Sequence, residues 1–181
     1  MSFDLPRLLI EPLVRNALVE DLGRSGDITS DSIIPADDVS TMVLEARQPG
    51  VVAGLALAAL AFELVDPRIR LTIERPDGSA LAPGDIIARV HGPSRGILTA
   101  ERVALNFMGH MSGIASATAA ITALLVAAAA YLRTESRGAQ SRSDFPGRSP
   151  QAERRVLTLA DALDLARRCD HSTRLAAGDR P

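Results

Sequence analysis

The sequence predicts an α+β fold in which helices pack on a mostly antiparallel sheet. Apolar residues recur at helical spacing near the start of the chain and again in a long stretch after residue 98. Between these stretches lie short segments in which apolar and polar residues alternate, as in half-buried strands, and glycine and proline separate them at turns. Several short strands with one helix among them, followed by a long helix, are typical of an α+β domain.

The first predicted element is a helix over residues 7–22. Its expected apolar face consists of Leu8, Leu9, Leu13, Ala17 and Leu18. Pro12 is placed in the first turn, where a missing amide hydrogen costs little. Gly23 and Gly26 are expected to end this helix, because glycine favours the conformations that follow a helix C-terminus.

The middle of the chain is predicted to hold several strands and one helix. The predicted strands are 40–47, 51–53, 70–74 and 85–91. In the first of them Met42, Leu44 and Ala46 lie on one side. The helix covers 55–64, where alanine and leucine dominate, and the last strand stops at Gly92–Pro93.

A long helix is predicted from Thr99, which is the expected N-cap, with Glu101 in the first turn. Its expected apolar stripe consists of Val103, Phe107, Met111 and Ile114. Arg102, Asn106 and His110 stand at i, i+4 and i+8, within about 80° of one another around the helix. This polar row on a mostly apolar helix indicates a surface that is presented to an anionic partner.

After this polar row the amino-acid composition of the chain changes. The run Ile114–Leu132 carries no charge and is rich in small residues, so we expect a buried helix rather than a membrane span. Residues 131–155 are rich in Arg, Ser, Gly and Pro and are predicted to be a loop or disordered. One short helix is expected after Thr158 as its cap, with Arg167 and Arg168 in the last turn. Its apolar face would hold Leu159, Leu163 and Ala166.

Length, net charge and cysteine content limit the classes of protein to which this chain can belong. A chain of 181 residues with 46% hydrophobic residues fits one domain, or one domain with an appendage. The net charge of −2 gives no reason to expect nucleic acid or a membrane as a partner. The single cysteine, Cys169, excludes an internal disulfide framework, and the N-terminus lacks the pattern of a signal peptide. We therefore expect a cytoplasmic protein.

Four landmarks in a fixed order resemble the quinolinate phosphoribosyltransferase family, the carboxylating nicotinate-nucleotide pyrophosphorylases. The signature "TAER-x-x-LN-x-x-x-x-SGIAT" of that family is matched by Thr99–Arg102, Leu105–Asn106 and Ser112–Ser116. The upstream landmarks are Glu20–Gly23 with Gly26–Ser30, Ala46–Arg47 with Gly50–Gly54, and Asp77–Gly78 with Gly84–Asp85. Together they cover about residues 8–120, and such an ordered set is far more specific than one motif alone.

The resemblance implies an open-sandwich α/β domain that leads into an α/β barrel. Residues 1–116 would form the N-terminal domain, with 1–24 helical, and 117–132 would start a truncated barrel domain. Residues 133–181 match no part of the family and are predicted to be a largely disordered tail in place of the barrel. Either the chain is genuinely truncated or a frameshift near codons 120–130 has replaced the barrel.

The resemblance also implies an activity. Members transfer a phosphoribosyl group from phosphoribosyl pyrophosphate to quinolinate with Mg²⁺, and release pyrophosphate, CO₂ and nicotinate mononucleotide. A homo-oligomer, a dimer or higher, is the implied assembly. The family's later segments supply lysine side chains around the substrates, whereas this chain contains no lysine, so we expect it to be catalytically incomplete alone. The Mg²⁺ ligands are likewise expected to lie outside this chain.

Arg102 is the strongest candidate for a substrate-binding residue. The resemblance implies that it binds the pyridine dicarboxylate by reaching into the active site of a neighbouring subunit, and a guanidinium suits a carboxylate. The alternative is a surface arginine that pairs with Glu101 or another acid. His110 is a weaker candidate, for which packing at a subunit interface is favoured. No residue is assigned a catalytic, cofactor-binding or metal-ligating role.

Several charged residues outside the signature helix are predicted to have structural rather than functional roles. Asp27 is expected to accept a hydrogen bond in a turn over residues 27–31, from the amide of Thr29 or Ser30. The carboxylates around the neighbouring glycines lack the spacing of a calcium loop. Arg47 is expected to form an ion pair at a strand end.

Two functions from different classes therefore stay open. The chain either belongs to an enzyme of NAD biosynthesis, or is a non-catalytic fragment that oligomerises with a full-length subunit and supplies Arg102 in trans. The exact pyridine acid is not distinguished, because the side chains that would select it lie in the part of the family that this chain does not match.

Overall fold

The computed structural model describes residues 6–133, 147 and 156–176. Within them the helices are α1 (Arg7–Leu22), α2 (Ile28–Ile33), α3 (Leu55–Val65), α4 (Ser94–Tyr131) and α5 (Leu159–Ala176). The strands are β1 (Val39–Glu45), β2 (Gly50–Val51), β3 (Arg70–Ile73), β4 (Ala80–Leu81) and β5 (Ile86–Pro93). The chain divides into two compact units, Met1–Ala117 and Thr118–Pro181. The predicted α+β class with an antiparallel sheet is confirmed.

The sheet of the first unit is antiparallel throughout. Strands β1, β5 and β3 pair in that order, and β2 pairs with β4 in a separate two-stranded ladder. The register sets Met42 and Leu71 on either side of Val90, and all three contact the hydrophobic core. Leu44 and Ala46 are also buried, which confirms the predicted inward side of β1.

The core lies where α1, α3 and the first part of α4 contribute side chains to the inner face of the sheet. Its largest fully buried side chains are Phe62, Ile97, Val14, Val52 and Val90. Helix α3 contacts both α1 and β3, so this mostly apolar helix fills the centre of the unit. Burial of these aliphatic groups is the main term that stabilises the fold.

Helix α1 has the predicted bounds, but its buried face matches the predicted one only in part. Its buried residues are Ile10, Val14 and Leu18, whereas Leu8 and Leu9 are 83% and 62% exposed. The prediction was right for Ala17 and Leu18 and wrong for the three leucines before them. Apolar residues occur around much of this helix, and periodicity alone does not select one side. Pro12 lies in the second turn rather than the first. The predicted helical residues 1–5 lie outside the described part of the chain.

Two predictions about local structure near helix starts were also wrong. The expected turn after Gly26 is the short helix α2, because Asp27 caps it. Helix α4 begins at Ser94, directly after β5, and not at Thr99. Gly92 permits this tight passage: its φ is 155°, and a Cβ there would lie 2.8 Å from the Ile69 Cα.

The second unit contains the end of α4 and the whole of α5. The apolar part of α4 is not buried as predicted: an 18-residue window with mean hydropathy 1.9 is only 6% buried, and by length and composition this helix is able to cross a membrane. Helix α5 begins after Thr158 as predicted, but extends to Ala176, so Arg167 and Arg168 lie in its middle. The predicted loop over 134–146 and 148–155 lies outside the described residues.

Candidate functional site

The polar row of α4 lies on the outer side of the helix, as the sequence predicts. Arg102, Asn106 and His110 are all exposed, whereas Val103 and Met108 on the same turns are buried in the core. The core contacts therefore fix the rotation of the helix about its axis. This rotation presents the guanidinium, the amide and the imidazole to the outside of the first unit.

A cleft of ≈ 280 Å³ runs between α1 and α4 beside this row. Its lining residues are Ala17, Glu20 and Asp21 from α1 and Val103, Asn106, Phe107 and His110 from α4. The floor is apolar and the rims are polar, which is a common design for a site that orients a small polar molecule. Two carboxylates on one rim make the α1 side of the cleft unfavourable for an anion.

Arg102 stands at the edge of this cleft and is held loosely. Its Nη1 donates to Asp21 Oδ1 at 3.1 Å, and its side chain is 74% exposed against 18% for Asp21. The acid that pairs with it is thus Asp21 and not Glu101. An ion pair with one partner in solvent is weak and is readily exchanged. The remaining guanidinium donors stay available for a carboxylate or a phosphate.

Asp27 accepts hydrogen bonds from two segments near Arg102. Its Oδ1 accepts from the Ser30 amide at 3.0 Å, as predicted, and its Oδ2 accepts from Thr99 Oγ1 at 3.2 Å. Hydrogen bonds from Ser30 hold the pKa of Asp27 below its ordinary value, against the opposing effect of burial, and Thr99 and the Arg102 charge add to the shift. Asp27 thereby links α2 to the turn of α4 that carries Arg102.

Two serines fix the next part of α4 to the strand region. Ser112 Oγ accepts from the Ala53 amide at 3.0 Å and donates to the Ala53 carbonyl. Ser116 Oγ accepts from the Val51 amide at 2.8 Å and donates to the Ser112 carbonyl at 2.7 Å. The helix therefore satisfies backbone groups that β2 and the residues after it would otherwise leave unpaired. No pattern in the sequence predicts these contacts, because they join residues about sixty positions apart.

The comparison with known proteins identifies this arrangement. A family model described as the N-terminal domain of quinolinate phosphoribosyl transferase matches residues 27–112. A rice chloroplastic nicotinate-nucleotide pyrophosphorylase is 40% identical over 116 residues, which cover 64% of this chain and 31% of that protein. A probable nicotinate-nucleotide pyrophosphorylase of Bacillus subtilis is 35% identical over 111 residues, 61% of this chain and 38% of that protein.

The chain carries an N-terminal domain of the quinolinate phosphoribosyltransferase family. The crystal structure of NadC from Streptococcus pyogenes superposes with a TM-score of 0.67 at 37% identity, over 69% of this chain and 44% of that one. The predicted family is confirmed. The chain spans about a third of the length of the curated relatives given above.

Most landmarks of this quinolinate phosphoribosyltransferase domain have structural roles. The Asp77 carboxylate accepts from the Gly54 and Leu55 amides at 3.3 and 3.2 Å and so caps α3. Gly54 has φ 98°, and a Cβ there would lie 3.1 Å from the Met111 Cβ, so α4 approaches closely. Among the landmark residues, Arg102 is the exposed cation beside a cleft.

Several other predicted candidates are placed apart from the site. Within the described residues, no group of three His, Cys, Asp or Glu side chains is arranged to hold a metal ion. Arg47 is exposed and forms no ion pair in the described part of the chain, contrary to the prediction. Cys169 is half-buried on α5.

A second family model, described as fumarate reductase flavoprotein C-term, matches residues 114–169. The two matches meet at Gly113, inside α4. The sequence predicted no family for residues 133–181, whereas residues up to 169 match this second family model.

Proposed function

We propose that this chain serves the quinolinate phosphoribosyltransferase reaction of NAD biosynthesis. In that reaction the ring nitrogen of quinolinate takes the phosphoribosyl group from phosphoribosyl pyrophosphate, and pyrophosphate and CO₂ leave. The match of residues 27–112 and the names of the relatives support this proposal. Both substrates are anionic, so a site that binds them requires cations.

Arg102 is the observation that carries the proposal. Its exposed guanidinium has one weak contact, to Asp21, and projects from a helix whose rotation the core fixes. A quinolinate carboxylate fits the planar donors of such a group in a bidentate manner. His110 and Asn106 line the adjacent cleft and are placed to orient the same ligand.

The chain by itself is catalytically incomplete. It contains no lysine, and the barrel segments that carry the family's other cations have no match in it. Arg102 therefore acts in trans, on the active site of a full-length subunit, in a homo-oligomer or mixed oligomer. Mg²⁺ is held by groups outside this chain, and the complex is cytoplasmic. The alternative is a non-catalytic fragment that merely oligomerises with such a subunit.

The test is a complementation assay that follows nicotinate mononucleotide. The 181-residue protein alone is expected to form none. A full-length relative whose own arginine at the position of Arg102 is replaced by alanine should regain activity when this chain is added. Arg102→Ala should abolish the rescue, whereas Arg89→Ala, which removes an exposed arginine of β5, should leave it intact.

The outcomes separate the two functions. Rescue that depends on Arg102 supports the trans-acting enzyme component. Co-purification with the full-length relative without rescue supports the oligomerisation module. Formation of nicotinate mononucleotide by the chain alone contradicts catalytic incompleteness.

We also infer that residues 114–169 are a module of the type found at the C-terminus of fumarate reductase flavoproteins. The family-model match over both described helical segments of the second unit supports this inference. The module is distinct from the phosphoribosyltransferase domain in family and in composition.

A further inference from the structure

We propose that the module of residues 114–169 docks in trans on the body of a fumarate-reductase-type flavoprotein, through its two described helices. This proposal rests on the inferred nature of that module and not on the role of Arg102. Two exposed apolar helix faces, the family match and the identity of the domain that precedes the module carry the argument.

The first exposed face belongs to α4. No charged residue occurs from Ile114 to Leu132, and Ile121 and Val126 are 43% and 58% exposed. Only Ala128 is fully buried among the described residues of this run. A contiguous apolar surface of this kind marks a contact with another molecule.

The second exposed face belongs to α5, whose start is fixed locally. Thr158 Oγ1 and Asp161 Oδ2 are hydrogen-bonded at 2.6 Å, and the Asp161 amide donates back to Thr158 Oγ1 at 3.2 Å. Leu159 and Leu163 lie one turn apart and are each 40% exposed. The opposite side carries the charged side chains, among them the ion pair of Arg168 with Asp164. The helix is therefore amphipathic, with an apolar stripe that is only partly covered.

The family match indicates which kind of protein covers these two apolar faces. The module corresponds to the terminal part of a flavoprotein, and in a folded protein such a part buries its apolar side against the preceding part of the same chain. Here the preceding residues 27–112 match the quinolinate phosphoribosyltransferase family and not a flavoprotein. The complementary surface is consequently that of a separate flavoprotein.

A membrane is the competing occupant. Helix α4 has the length and hydropathy of a membrane span, but this test is also passed by helices that pack on protein. A match that extends over α5, with its polar face and local cap, favours a protein partner over lipid.

The experiment mixes the 181-residue protein with a fumarate reductase flavoprotein subunit that is cut before its own C-terminal segment. Sedimentation velocity, followed at the flavin absorbance, should show one chain bound per flavoprotein. Leu163→Asp should weaken binding by about tenfold or more, because it places a charge in the apolar stripe. The matched control Ala160→Asp places the same charge on the exposed polar side and should bind like the wild type.

A second variant, with a check of helix content, distinguishes a loss of binding from a folding defect. Val126→Asp on α4 should weaken binding as Leu163→Asp does, and both proteins should keep the helix content of the wild type by circular dichroism. No complex, or a complex insensitive to both variants, overturns the proposal. Self-association that both variants abolish, or flotation with vesicles of phosphatidylcholine and phosphatidylglycerol without flavoprotein binding, also overturns it.

The outcome is separable from that of the phosphoribosyltransferase proposal. Arg102→Ala should bind the flavoprotein normally, and Leu163→Asp should still rescue the arginine-deficient relative. Each proposal can therefore be disproved by a measurement that does not affect the other proposal.

Discussion

Single residues of this domain divide into those that present a side chain and those that hold the backbone. Arg102 presents its side chain, because its contact with Asp21 is solvent-exposed and easily exchanged. Asp27 and Asp77 hold the backbone, because their carboxylates accept amide hydrogens at the starts of α2 and α3. No local pattern predicts the capping role of Asp77, because the amides that donate to its carboxylate lie over twenty residues upstream.

Asp27→Ala should destabilise the first unit by about 1–2 kcal/mol, because it removes an N-cap and the acceptor of the Thr99 hydroxyl. Urea unfolding of the 181-residue protein at neutral pH measures this loss. Asp37→Ala removes an exposed carboxylate with no hydrogen bond in the described residues and should change stability little.

The effect of Asp27 should depend on pH in a defined direction. Its pKa is lowered in the folded protein from the ordinary value of 3.8, so the charged carboxylate stabilises the fold. This stabilisation is fully present above a pH of about 4 and is lost as the pH falls through the lowered pKa. The stability difference between the wild type and Asp27→Ala should therefore narrow below that pH, and a constant difference would contradict the role given to the charge.

At the scale of elements, the attachment of α4 to the strand region decides where the polar row lies. Ser112 and Ser116 pair with backbone groups of residues 51–53, while the buried side of the helix packs in the core. A Cβ on Gly50 would lie 2.7 Å from Ser116 Oγ, so this approach also requires glycine on the strand. The "SGIAS" landmark thus owes its serines to helix attachment.

Ser116→Ala should destabilise the protein by about 1–3 kcal/mol, because it leaves the half-buried Val51 amide without an acceptor. Thr122→Ala is the matched control: its hydroxyl also donates to the carbonyl four residues earlier in α4, but it accepts from no strand amide. The two variants differ in the strand contact, and urea unfolding compares them. Equal effects would mean that the Val51 hydrogen bond contributes nothing.

At the scale of the whole molecule, one helix joins two segments that match different families. The part of α4 within the first unit is anchored by buried residues such as Val103 and Met108. The part within the second unit exposes most of its apolar surface. A single element therefore combines an end that the core covers with an end that few side chains cover.

Amide hydrogen exchange should reveal this difference along α4. Amides of residues 103–112 should exchange slowly, and those of 118–131 about tenfold faster or more, because few side chains cover the latter. Addition of the shortened flavoprotein should slow exchange over 118–131 and leave 103–112 unchanged. Uniform protection in the free protein would contradict this view of the helix.

Local patterns in the sequence determined much of this protein. The bounds of α1 and α3, the inward side of β1, the cap of α5 at Thr158 and the family of residues 27–112 all follow from periodicity, capping chemistry or ordered motifs. These features depend on residues within a few positions of one another, which is the range over which propensity and motif spacing carry information.

Only the tertiary structure decided the rest. It selected the Ile10, Val14 and Leu18 side of α1, moved the start of α4 to Ser94, and paired Arg102 with Asp21 across 81 residues. It also left the apolar half of α4 exposed, where the sequence predicted burial. Each of these outcomes depends on which distant surfaces meet, and pairwise contacts between remote residues are not encoded in any local pattern.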